Sequence, residues 1–287
     1  MYKKNHCSPI GIINTNSCLS DELLKKIAIN INNNKECENI NYNNNENLYN
    51  DICNRINKIS NCENEKCWLT LNKITDDLSH SDKVLFKESF KPFVPKGWIK
   101  EPNMWLNTSD IDNVLNRYQK RYPEFKYFGA LPIDFDKKKK KECLISDLCK
   151  INIKNLLHKN YKSIGIVFNT DPHNKDGEHW FSIYVDLIGI NRNQPTIYYY
   201  DSALNPIQKE IKKLIKKIKS QFKKLNQNID FLFNDIQHQS GDTECGVYCI
   251  HFLVQMLKGK KFQDYLNQKL NDKKIEKFRK IFFIPPE

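Results

Sequence analysis

Two hydrophobic periodicities alternate along this chain and predict both helices and strands. Residues 21–31 and 48–59 carry apolar side chains at steps of three and four residues, which predicts amphipathic helices. Residues 163–170, by contrast, form a continuous apolar run of strand length, which predicts a buried strand. Helices and strands are therefore expected in the same chain.

A second pair of strand-like runs lies at residues 180–188 and 196–200. The segment that joins them, residues 189–195, is rich in turn-forming residues and predicts a hairpin. A hairpin would place His179, just before the first run, and Asp201, just after the second, at neighbouring strand ends on the same rim of a sheet.

Further helices and one more strand are predicted around these runs. One helix begins at the capping residues 107–110, one covers residues 146–159, and one begins at residues 205–206 and presents lysines on its outer face. Residues 229–233 predict a strand. Residues 245–257 are apolar nearly all round, so this helix is expected at the centre of the core. The predicted fold class is α+β, with a central mixed sheet packed by helices.

A cluster of helix-breaking residues separates the chain into two predicted parts. Residues 90–102 contain several prolines and a glycine, which predicts a connection between domains. We predict a small, mostly helical accessory region over residues 1–95 and a larger domain over residues 96–287. The accessory region includes an asparagine-rich, low-complexity segment at residues 28–50 that we predict as a loop.

Composition adds a strong positive charge to this picture. The chain has 287 residues, of which 39% are hydrophobic, and its formal net charge is +12. Lysine supplies most of the positive charge, which favours either attraction to nucleic acid or, more simply, a solvated lysine surface. No apolar run of about 18 residues is present and the first residues lack an apolar signal segment. We therefore expect a protein that is neither secreted nor inserted in a membrane.

Cysteine usage predicts reduced thiols. Ten cysteines are spread over a long chain without a secretory signal, a pattern that favours a reducing compartment over a disulfide framework. Neither Cys62 with Cys67 nor Cys143 with Cys149 has the two-residue spacing of a zinc knuckle. We predict no metal site and no cofactor.

The segment from Gln239 to Gly246 carries the candidate chemistry. Cys245 stands at the start of the predicted buried helix, where unpaired backbone N–H groups and the helix dipole stabilise a thiolate. His179 and Asp201 precede it, so base, acid and nucleophile occur in the order His, Asp, Cys. Rival bases and acids occur in the same part of the chain: His173, His238, His251, Asp186 and Asp235.

These residues resemble the pattern of the cysteine peptidase superfamily that contains the adenovirus maturation protease and the SUMO-specific proteases. That pattern is His-Trp, then Asp, Asn or Glu, then Gln shortly before an acidic-Cys-Gly triplet. The matching residues are His179-Trp180, Asp201, Gln239 and Glu244-Cys245-Gly246, together with Trp105-Leu106-Asn107, which resembles the opening of the SUMO protease catalytic domain. The resemblance covers residues 96–260 and is strongest to the capsid-maturation proteases of large cytoplasmic DNA viruses.

The resemblance implies a thiol endopeptidase with a His-Asp-Cys triad. His179 would take the proton of Cys245, and Asp201 would hold the imidazole in the required orientation. The side-chain amide of Gln239 and the backbone N–H of Cys245 would donate to the oxyanion of the tetrahedral intermediate. Gly241 departs from the asparagine that SUMO proteases often carry, which leaves the geometry of the loop before the nucleophile open.

The same resemblance implies the class of substrate. In this family the tryptophan after the histidine narrows the cleft, so Trp180, with Trp105 and Gly246, would bind small residues, and cleavage would follow Gly-Gly or a similar pair. The implied partner is a protein, either a viral structural polyprotein or a ubiquitin-like conjugate. The implied location is the virion, the host cytoplasm, or both.

Other functions are compatible with the same residues. A deSUMOylase or deubiquitinase would cleave a Gly-Gly tail from a folded modifier, and bacterial acetyltransferases share this order of triad residues. From a different class, a basic nucleic-acid-binding scaffold with a vestigial triad would account for the net charge. A steep dependence of nucleic-acid affinity on salt would identify phosphate contacts.

Overall fold

The computed structural model describes residues 6–11, 17–33, 39–43, 46–62, 64–140 and 142–285. The chain divides into two compact units. The first unit is Met1–Phe93 together with Phe282–Pro285, and the second is Val94–Ile281 together with Pro286–Glu287.

The first unit is helical in its described residues. Its helices are α1 (Asp21–Asn33), α2 (Leu48–Ile59), α3 (Glu65–Trp68), α4 (Asn72–Thr75) and α5 (His80–Glu88). The two helices predicted from hydrophobic spacing are α1 and α2, and both are confirmed. Their apolar faces pack in a core that includes Ile27, Ile52, Ile56, Trp68 and Phe86.

The asparagine-rich segment predicted as a loop is partly helical. α1 continues to Asn33, because Asn30 is buried and donates a hydrogen bond to the Ile74 carbonyl at 2.8 Å. Asn32 extends this anchoring, since its side chain accepts from the Ile40 N–H at 2.7 Å and donates to the Ile40 carbonyl at 2.9 Å. Residues 34–38 and 44–45 of the predicted loop lie outside the described residues.

Disulfide bonds contradict the expectation that the cysteines are reduced. Among the described residues they join Cys7 to Cys18, Cys62 to Cys67 and Cys143 to Cys149. The paired Cα atoms lie between 5.1 and 6.2 Å apart, within the range that a disulfide requires. The free cysteines of the described chain are Cys53, Cys245 and Cys249.

A five-stranded mixed sheet forms the centre of the second unit. In chain order the strands are β1 (Phe125–Pro132), a small separate pair β2 (Lys138–Lys139) and β3 (Glu142–Cys143), then β4 (Ser163–Asn169), β5 (Trp180–Asp186), β6 (Thr196–Tyr200) and β7 (Asp230–Phe233). The sheet order is β1-β4-β5-β6-β7. β1 is parallel to β4 and β6 to β7, whereas β5 is antiparallel to both of its neighbours.

Helices cover both faces of this sheet. They are α6 (Thr108–Arg121), α7 (Ser146–Cys149), α8 (Ile153–His158), α9 (Lys209–Lys224), α10 (Cys245–Leu257), α11 (Phe262–Leu266) and α12 (Asp272–Phe282). The apolar face of α9 packs on one side of the sheet, and α10 packs on β5 on the other. β4, β5 and β6 are buried along their whole length, which explains their continuous apolar sequence.

Two helix boundaries differ from the sequence-based expectation. The helix expected over residues 146–159 is divided into α7 and α8, because Gln221 bonds the Ile151 carbonyl at 3.0 Å and the Ile153 N–H at 2.8 Å between them. α9 begins at Lys209 rather than after Asn205-Pro206, since Gln208 is still extended and acts as the N-cap. No helix among the described residues is long and apolar enough to cross a membrane.

Candidate active site

The β5–β6 hairpin brings a histidine and an aspartate together at one rim of the sheet. β5 and β6 pair antiparallel over five residue pairs, which confirms the predicted hairpin. His179 lies immediately before β5 and Asp201 immediately after β6, and His179 Nε2 is 2.8 Å from Asp201 Oδ1. The backbone carbonyl of His179 accepts a hydrogen bond from Thr170 N–H at 2.9 Å, which ties the histidine to the end of β4.

Asp201 is held from several directions and is 1% exposed. Its Oδ1 accepts a second hydrogen bond, from the Ala203 N–H at 2.9 Å. Asn234, just after β7, makes two hydrogen bonds to the backbone of Asp201. Its Oδ1 accepts from the Asp201 N–H at 3.0 Å, and its Nδ2 donates to the Asp201 carbonyl at 2.7 Å. The carboxylate is therefore fixed before any substrate arrives.

Cys245 is the first residue of α10 and is 1% exposed. Burial lowers the pKa of His179, but hydrogen bonds to Asp201 and Cys245 and the charges of both outweigh burial and raise this pKa to about 9. Because Nε2 of His179 is bonded to Asp201, Nδ1 is the nitrogen left for the thiol. This arrangement favours a protonated imidazole at neutral pH.

Gln239 is buried and its amide is oriented by two hydrogen bonds. Ser202 Oγ donates to Gln239 Oε1 at 2.7 Å, and Gln239 Nε2 donates to the Gly241 carbonyl at 2.8 Å. An amide nitrogen carries two hydrogens, so one remains available to a substrate oxyanion. The Ser202 carbonyl also accepts from the Gln239 N–H at 2.9 Å, which fixes the residue as a whole.

A cleft of about 360 Å³ is lined by two tryptophans, one of which directly follows His179, and by the rival histidine His173. Trp105 and Trp180 both line it, with Asn169 and Gly177. Trp105 is 41% exposed, whereas Trp180 is buried and its Nε1 donates to the Leu106 carbonyl at 2.8 Å. The wall formed by Trp180 is therefore rigid, and the one formed by Trp105 is open to solvent.

Gly246 contacts the segment that carries Trp105. A Cβ added at Gly246 would lie 3.0 Å from Leu106 Cβ and 3.2 Å from Leu106 Cδ1. Glycine at position 246 therefore permits the close approach of α10 to Leu106.

Two of the rival histidines have structural partners. His173 is exposed and its Nδ1 lies 2.7 Å from Asp134 Oδ2. His238 is buried, with Nδ1 2.8 Å from the Tyr200 hydroxyl and Nε2 3.0 Å from the Leu266 carbonyl. Both ring nitrogens of His238 are thus occupied inside the core.

The remaining rivals are His251, Asp186 and Asp235. Burial lowers the pKa of His251 to about 4, and its Nδ1 lies 3.2 Å from the Tyr265 hydroxyl. Asp186 is fully buried and accepts hydrogen bonds from three backbone N–H groups of the turn after β5. Asp235 is exposed in the segment after β7. Burial also raises the pKa of the neighbouring thiol of Cys249, which disfavours its thiolate.

Sequence reasoning missed two residues that hold the segment Gln239–Glu244, which we call the pre-nucleophile loop. Asp272 Oδ2 accepts from the N–H groups of Ser240 at 3.0 Å and Gly241 at 2.8 Å. Arg279 Nε lies 2.9 Å from Glu244 Oε2, and Arg279 Nη2 lies 2.9 Å from Glu244 Oε1. Both belong to α12, and nothing in their local sequence marks them as neighbours of the loop.

The part of the chain that the structure describes contains no cluster of metal ligands. No group of three or more His, Cys, Asp or Glu side chains there is arranged to hold a metal ion. The hairpin rim holds an imidazole hydrogen-bonded to a buried carboxylate, and the first residue of α10 is a buried thiol that contributes to the raised pKa of this imidazole. These are the groups that a cysteine peptidase uses.

Comparison with known proteins identifies the family. Residues 113–285 match the Ulp1 protease family, C-terminal catalytic domain, and this match covers more than half of the chain. The chain therefore belongs to the Ulp1 protease family, a family of cysteine-type peptidases.

Individual relatives are viral proteases. The chain is 31% identical over 180 residues to a protein of Acanthamoeba polyphaga mimivirus named as a thiol protease, over 62% of this chain and 56% of that relative. This chain thus spans little more than half of that relative's length. It is also 24% identical over 230 residues to the SUMO-1 cysteine protease of African swine fever virus (isolate Pig/Kenya/KEN-50/1950), over 77% of this chain and 83% of the relative.

A solved structure shows the same fold. The crystal structure of the African swine fever virus protease superposes with a TM-score of 0.64 at 19% identity, over 100% of this chain and 98% of that one. The predicted α+β fold, with a mixed sheet packed by helices, is confirmed by this comparison and by the sheet order itself.

Proposed function

We propose that this chain is a cysteine endopeptidase in which Cys245 is the nucleophile, His179 the base, Asp201 the residue that orients the base, and Gln239 an oxyanion donor. The observation that carries the proposal is the 2.8 Å hydrogen bond between His179 Nε2 and Asp201 Oδ1, together with Cys245, the first residue of the buried helix α10, which helps to raise the pKa of His179. The family membership supports the same reading.

The first half of the reaction forms a thioester. The Cys245 thiolate sulfur bonds to the carbonyl carbon of the scissile peptide, and the carbonyl oxygen becomes an oxyanion. The free N–H of the Gln239 amide and the Cys245 backbone N–H donate to that oxygen; one such donor is worth about 3 to 4 kcal/mol. The His179 imidazolium then gives its proton to the amine nitrogen as the carbon–nitrogen bond breaks.

The second half regenerates the thiolate. His179, now neutral, takes a proton from a water molecule that attacks the thioester carbon. The carbon–sulfur bond breaks, the acid product leaves, and the imidazolium–thiolate pair is restored. Asp201, which accepts from His179 Nε2 at 2.8 Å, stabilises the imidazolium at both steps.

A preference for small residues before the scissile bond is carried over from the family, in which the tryptophan after the histidine narrows the cleft. Trp180 is held by its hydrogen bond to the Leu106 carbonyl, and Trp105 lines the same cleft. A tryptophan held in this way would leave room for glycine rather than for larger side chains. We accordingly assign cleavage after Gly-Gly or a similar pair, with Trp180, Trp105 and Gly246 as the substrate-contacting residues.

Viral structural polyproteins are the proposed substrates, cleaved in the virion or the host cytoplasm during particle maturation. The support is the viral origin of the relatives, which include the African swine fever virus protease. Because that relative is named a SUMO-1 cysteine protease, an isopeptidase that removes a ubiquitin-like modifier is the second candidate.

A peptide panel tests the proposal. Wild type and Cys245→Ala are compared on peptides that contain Gly-Gly-Xaa and on matched Ala-Ala-Xaa peptides, alongside SUMO and ubiquitin tail conjugates. We expect cleavage of the Gly-Gly peptides by wild type alone. Preferential cleavage of the folded conjugates would favour the isopeptidase, and equal cleavage by both variants would exclude Cys245 as the nucleophile.

Nucleic acid is a further proposed partner, through the outer face of α9. The exposed lysines of this helix are Lys209, Lys212, Lys213, Lys216, Lys217, Lys219, Lys223 and Lys224. Such a face supports weak, sequence-independent attraction to phosphates, with an affinity that falls steeply as salt rises. An affinity for single-stranded DNA that does not change between 50 and about 200 mM salt would exclude phosphate contacts.

A further inference from the structure

The pre-nucleophile loop carries two parts of the proposed site at its ends. Gln239 begins the loop, and Glu244 ends it directly before Cys245. The loop belongs to neither a helix nor a strand, so regular backbone hydrogen bonds do not fix its shape. Side chains from elsewhere have to do so, and α12 supplies them.

The first attachment is made by Asp272 at the start of α12. Its Oδ2 accepts from the backbone N–H groups of Ser240 at 3.0 Å and Gly241 at 2.8 Å, and its Oδ1 lies 3.1 Å from the Tyr248 hydroxyl. The Gly241 carbonyl in turn accepts from Gln239 Nε2 at 2.8 Å. Asp272 therefore holds Gly241, the residue whose carbonyl orients the amide of the proposed oxyanion donor.

The second attachment is made by Arg279, which is 4% exposed. Its guanidinium contacts the Glu244 carboxylate through Nε and Nη2, and Nη2 also lies 3.1 Å from the Thr243 carbonyl. Nη1 donates to the Met104 carbonyl at 2.9 Å, next to Trp105. One buried guanidinium thus joins the end of the loop to the segment that forms a wall of the cleft.

The spacing of the two residues explains why one helix makes both attachments. Asp272 and Arg279 are seven positions apart, close to two helical turns, so they project from the same face about 10 Å apart. A loop held at two points by one rigid helix cannot stretch or rotate without breaking charge-assisted hydrogen bonds.

We propose that α12 positions the oxyanion site, with Asp272 fixing the Gly241–Gln239 end of the pre-nucleophile loop and Arg279 fixing its Glu244 end. Asp272 and Arg279 are positioning residues and touch no substrate atom. The inference rests on the proposed roles of Gln239 and Cys245. It predicts that loosening the helix-to-loop contacts harms oxyanion stabilisation while the thiolate–imidazolium pair, which depends on His179, stays intact.

The test compares Asp272→Asn and Arg279→Lys with Lys277→Ala, an exposed position on the same helix. Four quantities are measured: kcat and KM on a Gly-Gly peptide, affinity for a peptide aldehyde, the rate of Cys245 alkylation by iodoacetamide, and amide hydrogen exchange. The aldehyde reports on the oxyanion site because its addition product places an oxygen there. We expect kcat and aldehyde affinity of Asp272→Asn to fall together by about 10- to 100-fold. KM and the alkylation rate should stay within about twofold of wild type.

Arg279→Lys should show the same loss of kcat together with a several-fold rise in KM, because Met104 and the wall at Trp105 are also released. Amide exchange within residues 239–245 should accelerate in both variants and remain unchanged in Lys277→Ala. The Tm of each variant checks that the fold is retained.

Several outcomes would overturn the inference. Unchanged exchange in residues 239–245 would show that α12 does not hold the loop. A parallel fall of alkylation rate, kcat and Tm would show a general structural role instead. A different result would contradict the proposed function: wild-type protein that neither cleaves the peptides nor is alkylated at Cys245. Even then, the hydrogen-exchange measurement would show whether α12 holds the loop.

Discussion

The hairpin rim and the pre-nucleophile loop contribute the two halves of the proposed active site, and they are stabilised in different ways. The rim, with His179 and Asp201, is positioned by strand pairing, since β5 lies between β4 and β6 with regular antiparallel register on both sides. The loop, with Gln239, has no strand partner and is held by side chains of Asp272 and Arg279.

The two halves differ in how far they depend on interactions between residues close in the sequence. A hairpin is formed by residues close in the chain, so the base and the acid come together as a consequence of local pairing. The loop depends on residues up to about forty positions away, and on Ser202, which joins both halves through its hydrogen bond to Gln239. Substitutions in the two halves should therefore affect different steps.

The largest effect is expected for His179→Ala in the hairpin rim. This variant removes both the base that creates the thiolate and the acid that protonates the leaving amine, so kcat/KM should fall by about 10⁴-fold. Alkylation of Cys245 by iodoacetamide should slow as well, because the thiolate loses its imidazolium partner. Near-normal alkylation with lost cleavage would show that the hairpin rim does not control the thiol.

Gln239→Ala, in the loop, should come next. Loss of one oxyanion donor typically lowers kcat by about 10²- to 10³-fold, and KM should change little. Alkylation of Cys245 should match wild type, in contrast to His179→Ala, since no oxyanion forms in that reaction. Retention of more than half of kcat would argue against an oxyanion role for this amide.

Asp201→Asn tests the pairing of His179 with Asp201 in the hairpin rim through the pH dependence of kcat/KM. The pKa of His179 is raised to about 9, so its proton is present in the folded protein at low and neutral pH and is lost as the pH rises through 9. The alkaline fall of kcat/KM should therefore lie near pH 9 in wild type. Without the carboxylate charge it should move toward the ordinary value of about 6.5, with a loss of about 10- to 100-fold at pH 8. An unmoved alkaline limb would contradict the Asp201–His179 pairing.

The smallest effect is expected for Ser202→Ala, which removes the side-chain hydrogen bond between the two halves and keeps the backbone hydrogen bond from the Gln239 N–H to the carbonyl of residue 202. The Gln239 amide would lose one of the two partners that orient it, at a cost of about 1 kcal/mol or roughly fivefold in kcat. The Ser202→Thr variant keeps a hydroxyl and should retain more activity than Ser202→Ala. A kcat equal to wild type in Ser202→Ala would show that the Gly241 carbonyl alone orients the amide.

The sequence was sufficient for the elements with strong local signals. The amphipathic helices of the first unit, the apolar strand β4, the hairpin and the buried helix α10 all follow from hydrophobic spacing and turn residues, and the structure contains each of them. Expectations failed where a distant side chain intervened. Gln221 on α9 splits the helix expected over residues 146–159, and Asn30 draws α1 into the asparagine-rich segment.

The cysteines illustrate the same limit. Their long spread and the lack of a signal segment indicated reduced thiols, yet the structure joins Cys7 to Cys18, Cys62 to Cys67 and Cys143 to Cys149. Whether two cysteines meet depends on the directions of their Cβ atoms, and spacing along the chain does not encode those directions.

For the proposed site, the sequence indicated His179, Asp201 and Cys245 because each lies at a strand end or a helix start, and it indicated Gln239 through the family pattern before the nucleophile. How these residues are held depends on contacts that form only in the folded chain. Asp272 and Arg279 reach the pre-nucleophile loop from α12, and no periodicity or motif marks a salt bridge between residues 35 positions apart. Local propensities determine the elements; buried polar contacts form only when packing removes water from both partners, and that event is a property of the folded chain.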